Sequence, residues 1–214
     1  MKILVTAFDP FGGETINPAH LAVSLLKDNI AGASIIKLTV PTIFDQSINT
    51  VYDEIIKENP DIVLCVGQAG GRSHMTVEKV AINLNDARIP DNGGNQPMDT
   101  TTYMDGENAY FSNLPVKAMV SYMRENGIPA SVSYTAGTFV CNHLMYGILY
   151  HIHKSFHHIR GGFIHVPFIP SQVSTRNDAM PSMSLDMIVT GLELAITAIA
   201  HNKEDIKTSS GTLH

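Results

Sequence analysis

Residues 61–66 read Asp-Ile-Val-Leu-Cys-Val, apolar at every position after the first. A half-exposed strand alternates apolar and polar residues, so a run apolar at both parities predicts a central strand covered by helices on each side. The flanking sequence agrees. Residues 2–7 and 35–40 are short β-branched runs that read as strands. Between them Asn17-Pro18 sets a cap residue before a proline, the favoured opening of a helix, which Ala22, Leu25 and Leu26 continue. Asp45 is placed to cap a second helix carrying Ile48, Val51, Tyr52, Ile55 and Ile56. Downstream, strands are predicted at 76–83, 130–134 and 162–166, and helices at 114–125, 142–154 and 184–201. Asn126-Gly127 is a stop signal for the first of these helices. Strands alternating with helices define an α/β fold.

Between residues 67 and 105 the rhythm breaks into a stretch rich in Gly, Asn, Asp and Pro. So long an irregular segment inside a domain predicts a functional loop or an interface arm. With no repeat, linker or boundary visible, residues 1–203 are expected to form one domain, and the polar residues 204–214 a frayed tail. The chain has 214 residues, with 14 Lys+Arg against 20 Asp+Glu and a net charge of −6, which argues against a nucleic-acid binder. The apolar segment 185–200 is interrupted by Asp186 and Glu193, and so reads as a buried helix and not a membrane span. The amino terminus reads as a strand and not a signal peptide, and two cysteines are too few for a disulfide framework. A cytoplasmic protein with reduced thiols is expected.

Three positions carry candidate chemistry. Cys141 follows a strand and a Gly-containing turn and precedes a helix start, where the helix dipole favours a thiolate and free N–H groups can hold an oxyanion. The other reading of Cys141 is a small buried hydrophobe; Cys65, inside the apolar run, reads as core. His165 ends a strand at the carboxyl edge of the sheet, where α/β ligand sites collect, and histidine is the natural base for a cysteine. A satisfied core histidine is its alternative. A carboxylate should orient the imidazole, and Glu78, Asp86 and Asp91 compete for that role. The cluster His151, His153, His157 and His158 reads as a solvated helix end without metal-ligand spacing. Phe11-Gly12-Gly13 lacks nucleotide-binding spacing, and with Phe8 it suits an apolar pocket wall.

Several motifs occur together and in order: Phe8-Asp9-Pro10-Phe11-Gly12-Gly13, Gly67-Gln68-Ala69-Gly70-Gly71-Arg72, Asn85-Asp86-Ala87-Arg88-Ile89-Pro90-Asp91-Asn92, Ala136-Gly137-Thr138-Phe139-Val140-Cys141-Asn142 and His165-Val166-Pro167-Phe168-Ile169-Pro170. In this the chain resembles the pyroglutamyl peptidase type I (pyrrolidone carboxyl peptidase) family from residue 1 to about residue 200. The resemblance implies an α/β/α sandwich with a mixed, mostly parallel twisted sheet. It implies a cysteine exopeptidase that needs no cofactor or metal, acts on peptides with an N-terminal pyroglutamate, and often assembles as a homotetramer. Carried over by position, Cys141 would be the nucleophile, His165 the base and Glu78 the orienting carboxylate. Arg88 would lie near the oxyanion, Phe8 and Phe11 would wall the lactam pocket, and Gln68 and Asn17 would lie beside it. Asn17 is equally explained as a helix cap. Lys79 and Glu107 depart from the family's usual residues without touching this set.

A glutamine amidotransferase-like cysteine amidase is the competing enzyme class. It expects an acid two residues past its histidine, where this chain has Pro167, and glycines flanking its cysteine, where this chain has Val140 and Asn142. A non-catalytic binding module would not require Cys141, His165 and Glu78 together.

Overall fold

A computed structural model describes residues 1–211. In chain order the elements are β1 (Lys2–Phe8), α1 (Pro18–Leu25), β2 (Asn29–Ile30), β3 (Ala33–Val40), α2 (Gln46–Glu58), β4 (Ile62–Gln68), β5 (Met75–Glu78), β6 (Val80–Ile82), β7 (Ala109–Phe111), α3 (Val116–Glu125), β8 (Ala130–Ser133), α4 (Val140–Lys154), β9 (Arg160–Val166), α5 (Pro170–Val173) and α6 (Leu185–His201). Seven strands form one mixed sheet in the order β2-β3-β1-β4-β9-β5-β8, while β6 and β7 pair apart from it. Neighbours are parallel except at β2–β3 and β5–β9.

The doubly apolar run 61–66 lies in β4, at the centre of the sheet, and its two parities serve two cores. Ile62, Leu64 and Val66 pack with α1, α3 and α6, whereas Val63 and Cys65 pack with α2 and α4. Each core removes a large apolar surface from water, the main force holding a three-layer fold together.

Local chemistry explains most element ends. The Asn17 side chain accepts from Ala19 N–H at 3.0 Å and so caps α1 ahead of Pro18. Ser184 caps α6 by accepting from Met187 N–H. Asp45 occupies the N-cap position of α2 but makes no side-chain cap bond; its φ is 58° and its N–H donates to His143 Nε2 at 2.9 Å. The strand expected over 76–83 is two strands parted at Lys79. There the N–H still bonds the carbonyl of Ser133, the last residue of β8, while the Lys79 carbonyl accepts from Ser112 N–H next to β7. That one residue hands the chain from the main sheet to the small one. The two-residue β2 is also absent from the sequence reading; it pairs with β3 across Ala31 and Gly32, both at positive φ.

The tail expected to fray makes defined contacts in its described part. The Asp205 carboxylate accepts from Lys117 N–H and Ala118 N–H, both at 3.0 Å. It thereby caps α3, whose own N-cap, Pro115, offers no side-chain acceptor. Residues 212–214 of that tail lie outside the described residues. Among the described residues no helix is long and apolar enough to cross a membrane.

Candidate active site

Side-chain alternation places the candidate residues on one face of the sheet. Phe163 and Cys65 belong to the core under α4, while Ile164, Val166 and Val77 belong to the opposite core. His165 on β9 therefore faces α4, as does Gly67, its cross-strand partner on β4. On the other side of β9, Thr76 lies opposite His165 and Glu78 opposite Phe163, again facing α4.

Two neighbouring strands, β5 and β9, thus bring a carboxylate to an imidazole. Glu78 Oε1 lies 2.8 Å from His165 Nδ1, with both residues buried. Burial would raise the Glu78 carboxyl, but the hydrogen bond and charge of His165, with help from Ser133 and Arg72, hold it below its ordinary value. Burial also lowers His165, outweighing the hydrogen bond and charge of Glu78 that act to raise it. The pair therefore rests as carboxylate and neutral imidazole. An ionised carboxylate only accepts, so Nδ1 carries the proton and Nε2 keeps its lone pair.

Cys141 enters from the helix layer. Phe139 is the N-cap of α4, which makes Cys141 the second residue of that helix. Its Sγ comes within 3.0 Å of the point where a Cβ on Gly67 would stand, beside the strand position of His165. The first helical bond at this end runs from His143 N–H to Phe139 O at 3.1 Å, leaving the earlier N–H groups without a partner in the helix, a position from which such groups can hold an oxyanion. The sequence reading expects the helix end to favour a thiolate. Instead, burial and then the Glu78 charge push the thiol up to about 12, against an opposing contribution from Arg72. The resting cysteine is a thiol.

The other named residues are distributed around this centre. Phe11 packs on Phe139 (ring centroids 6.2 Å), which stands edge-on to Phe44 at 5.5 Å. Phe8 is only 1% exposed and backs Phe163 at 6.4 Å, so it supports the site wall from behind. Both ends of the Asn17 amide are engaged, Nδ2 donating to Asp9 O at 3.1 Å, and this ties α1 to the loop that carries Phe11. Gln68 shares the parity of Val66, and its Oε1 accepts from Gln172 Nε2 at 3.1 Å. Arg88 is exposed and makes no side-chain hydrogen bond among the described residues. Its loop is held near α4 by Asp86 N–H to Thr138 O (2.9 Å) and Thr138 Oγ1 to Asp86 O (2.8 Å).

Of the three competing acids, Glu78 is the one the structure sets against His165. Asp91 instead organises its own loop, accepting from the N–H groups of Phe44, Gly93 and Asn95. The histidine cluster differs from the solvated helix end expected for it at one position. His151 is half-buried on Tyr52 (4.6 Å), with Nε2 at 3.1 Å from the Tyr103 hydroxyl.

Residues that sequence reasoning passed over complete the setting. Gly67 leaves room for the thiol. Asn142, fully buried, accepts from Ile82 N–H and donates to Ile82 O and Leu84 O, fastening the arm beside the nucleophile. Arg72 reaches Glu78 Oε1 at 2.6 Å. Gly67 and Arg72 stand in a quoted motif, but nothing local to it reveals what they touch.

A thiol at a helix start, close to a histidine whose Nδ1 is held by a buried carboxylate on an α/β sheet, is the layout of a cysteine hydrolase. Comparison with known proteins narrows that class. The sequence profile of the pyroglutamyl peptidase family matches residues 1–202, and the chain belongs to that family. A pyrrolidone-carboxylate peptidase of Clostridium perfringens is 59% identical over 213 residues, covering the whole of both chains. One from Thermosipho africanus is 55% identical over 205 residues, 96% of this chain and all of the relative. The crystal structure of pyroglutamyl peptidase I from Bacillus amyloliquefaciens superposes with a TM-score of 0.94 at 51% identity, covering 97% of this chain and 99% of the other.

Proposed function

We propose that this chain is a cysteine exopeptidase that removes an N-terminal pyroglutamyl residue from peptides through a thioester. The observation that carries the mechanism is the 2.8 Å Glu78–His165 contact, with the Cys141 thiol on the same face of the sheet. Membership of the pyroglutamyl peptidase family supports the substrate class.

In this reading Cys141 Sγ attacks the pyroglutamyl carbonyl carbon as its proton passes to His165 Nε2. Glu78 holds the imidazole by Nδ1 and stabilises the imidazolium that forms. The oxyanion is taken up by N–H groups at the start of α4, with the uncommitted Arg88 guanidinium beside them. His165 then gives its proton to the departing amine, and a water activated by the same imidazole hydrolyses the thioester. Pyroglutamate is a neutral lactam, and the half-buried Phe11 and Phe139 supply apolar wall without a buried acid. Phe8 acts by backing that wall, and Gln68 and Asn17 by holding the strand end and loop that frame it.

Residues 1–203 are read as one catalytic unit, consistent with a family match over residues 1–202. A cytoplasmic homotetramer is part of the same proposal. Met98, Met104 and Phe111 are 74, 98 and 66% exposed, and such apolar surface favours self-association.

The test is hydrolysis of pyroglutamyl-aminomethylcoumarin beside its prolyl analogue, with and without iodoacetamide. Rapid, thiol-sensitive cleavage of the pyroglutamyl substrate alone is expected, because proline lacks the ring carbonyl that a lactam site pairs. C141S should fold normally and retain less than about a hundredth of the turnover. Retention of more than about a tenth by C141S, or equal cleavage of the prolyl compound, overturns the reading.

A further inference from the structure

Arg72, in the loop between β4 and β5, makes a contact that the steps above do not use. Its Nη1 donates to Glu78 Oε1 at 2.6 Å and to the Thr76 hydroxyl, and its Nη2 to Thr135 O at 3.3 Å. Glu78 Oε1 therefore takes three donors, Arg72, His165 and the Thr76 hydroxyl (3.2 Å), while its Oε2 is buried without a hydrogen-bond partner among the described residues. A guanidinium serving only to satisfy a buried carboxylate would gain most by forking onto both oxygens. This one sits instead in a row: Arg72, Glu78, His165 and then Cys141.

The groups with charge or titratable protons that face His165 are Glu78 from β5, Cys141 from α4 and Arg72 from its loop, with Cys65 deeper on β4. Without Arg72 the row would hold one buried, uncompensated negative charge. That charge would keep a proton on the imidazole and oppose loss of the proton from the thiol. With Arg72 the carboxylate still orients the ring, and part of its field at the imidazole and the thiol is offset.

We propose that Arg72 is a positioning residue for the Glu78–His165 pair, and that its positive charge sets the pH range in which Cys141 and His165 exchange their proton. The proposal rests on the peptidase reading above. It also has a readout independent of substrate, the alkylation of Cys141.

Both limbs of the kcat/KM–pH profile belong to the coupled cysteine–histidine pair, so one change of charge moves them together. Removing a cation makes the imidazolium easier to form and the thiolate harder to form, and both limbs move to higher pH. A charge close to an ionising group shifts its ionisation by about 1 unit or more. R72Q should therefore move both limbs upward by about 1 pH unit and lose about tenfold in kcat/KM on the acid side, with recovery at alkaline pH. R72K keeps the charge and should hold both limbs near wild type even if its maximum falls. The pH profile of iodoacetamide alkylation should shift upward in R72Q in the same way. Circular dichroism and thermal melting establish that each variant folds.

A uniform loss of activity in R72Q with both limbs unmoved would make Arg72 merely structural and overturn the proposal. Equal shifts in R72K and R72Q would show that the charge is not the agent. If wild type fails to cleave the pyroglutamyl substrate, the peptidase reading fails, and the alkylation profile still decides the role of Arg72. Should R72Q not fold, the R72K limbs decide: movement by about 1 unit refutes the proposal, and coincidence with wild type despite a lowered maximum supports it.

Discussion

Alanine at position 67 is the sharpest steric test of the site. Gly67 does not lie in the left-handed region of φ, so alanine is conformationally allowed and its effect comes from space alone. A Cβ there would stand 2.8 Å from Phe163 Cζ and 3.0 Å from both Phe163 Cε1 and Cys141 Sγ. Comfortable contacts lie at about 3.5–4.0 Å, so the thiol, the ring or both must withdraw by roughly 0.5–1 Å. Phe163 has little room to do so: it is fully buried, 6.4 Å from the Phe8 ring and 4.7 Å from the imidazole of His165. Either movement disturbs the thiol–imidazole pair. Overpacking costs about 1–3 kcal/mol, and the stiffer unfolded chain of a Gly→Ala change returns about 0.4–1 kcal/mol. The net loss of about 1–2 kcal/mol lowers Tm by roughly 2–8 °C for a chain of this size. Catalysis suffers more, since a misplacement of about 1 Å at reacting atoms costs on the order of 100-fold. G67A should therefore lose about 10- to 100-fold in kcat/KM on pyroglutamyl-aminomethylcoumarin, mostly through kcat, with slower iodoacetamide alkylation. A variant within twofold of wild type in rate and unchanged in Tm would mean that the thiol does not rest against Gly67, and the site geometry would have to be redrawn.

Other consequences are as direct. E78Q should lower kcat by on the order of 100-fold or more with little change in KM, because its carboxylate orients an imidazole; a change confined to KM would make Glu78 a substrate contact. Acid should weaken the fold in two stages. Burial holds His165 below the ordinary 6.5 and His143 down at about 4, so the unfolded chain binds protons that the folded chain refuses, and stability is full above pH 6.5 and falls below it. Glu78 and Asp91 sit below their ordinary 4.5 and 3.8, and the stability they contribute is lost at still lower pH, as it falls through their folded values. His143 alone should cost about 2 kcal/mol by pH 5, so urea unfolding at pH 7.5 and pH 5 should differ by at least that; equal free energies refute the assignment. D205A should remove the cap of α3 and cost about 1 kcal/mol, or roughly 2–4 °C in Tm, whereas an unchanged Tm would show that the tail contributes nothing.

What the sequence discloses and what it hides divides along a physical line. The doubly apolar run in β4, the Asn17-Pro18 cap and the cysteine at a helix start are local signals, and the structure places each where local chemistry puts it. The break at Lys79 is invisible locally. Val77 and Val80 carry the same strand propensity, and only the competing partners, Ser133 on one side and Ser112 on the other, decide where pairing changes sheets. Asp45 has the chemistry of a cap, but the buried His143 ring takes its N–H and fixes a backbone angle from which the side chain does not cap. Gly67 and Arg72 likewise acquire meaning only when α4 and β5 arrive beside them.

The ionisation of Cys141 shows how a sound local inference is outweighed. A helix start favours an anion by about 0.3–1 kcal/mol at an exposed position, whereas burying a thiolate near the Glu78 carboxylate opposes it more strongly, which is why the thiol is pushed up to about 12. The same burial keeps His165 neutral. A neutral thiol and a neutral imidazole together carry no net charge into a closed site, and under the proposed reaction neither does the lactam that would cover them. Charge is then separated only as sulfur meets the carbonyl, when the oxyanion and the imidazolium form together, the latter against a Glu78 carboxylate that is already ionised. The α4 N–H groups and Arg72 are already oriented at that moment, so stabilising those charges requires little rearrangement of the protein. Donors fixed in advance favour the charged transition state over the uncharged resting pair, and that difference is what accelerates a reaction.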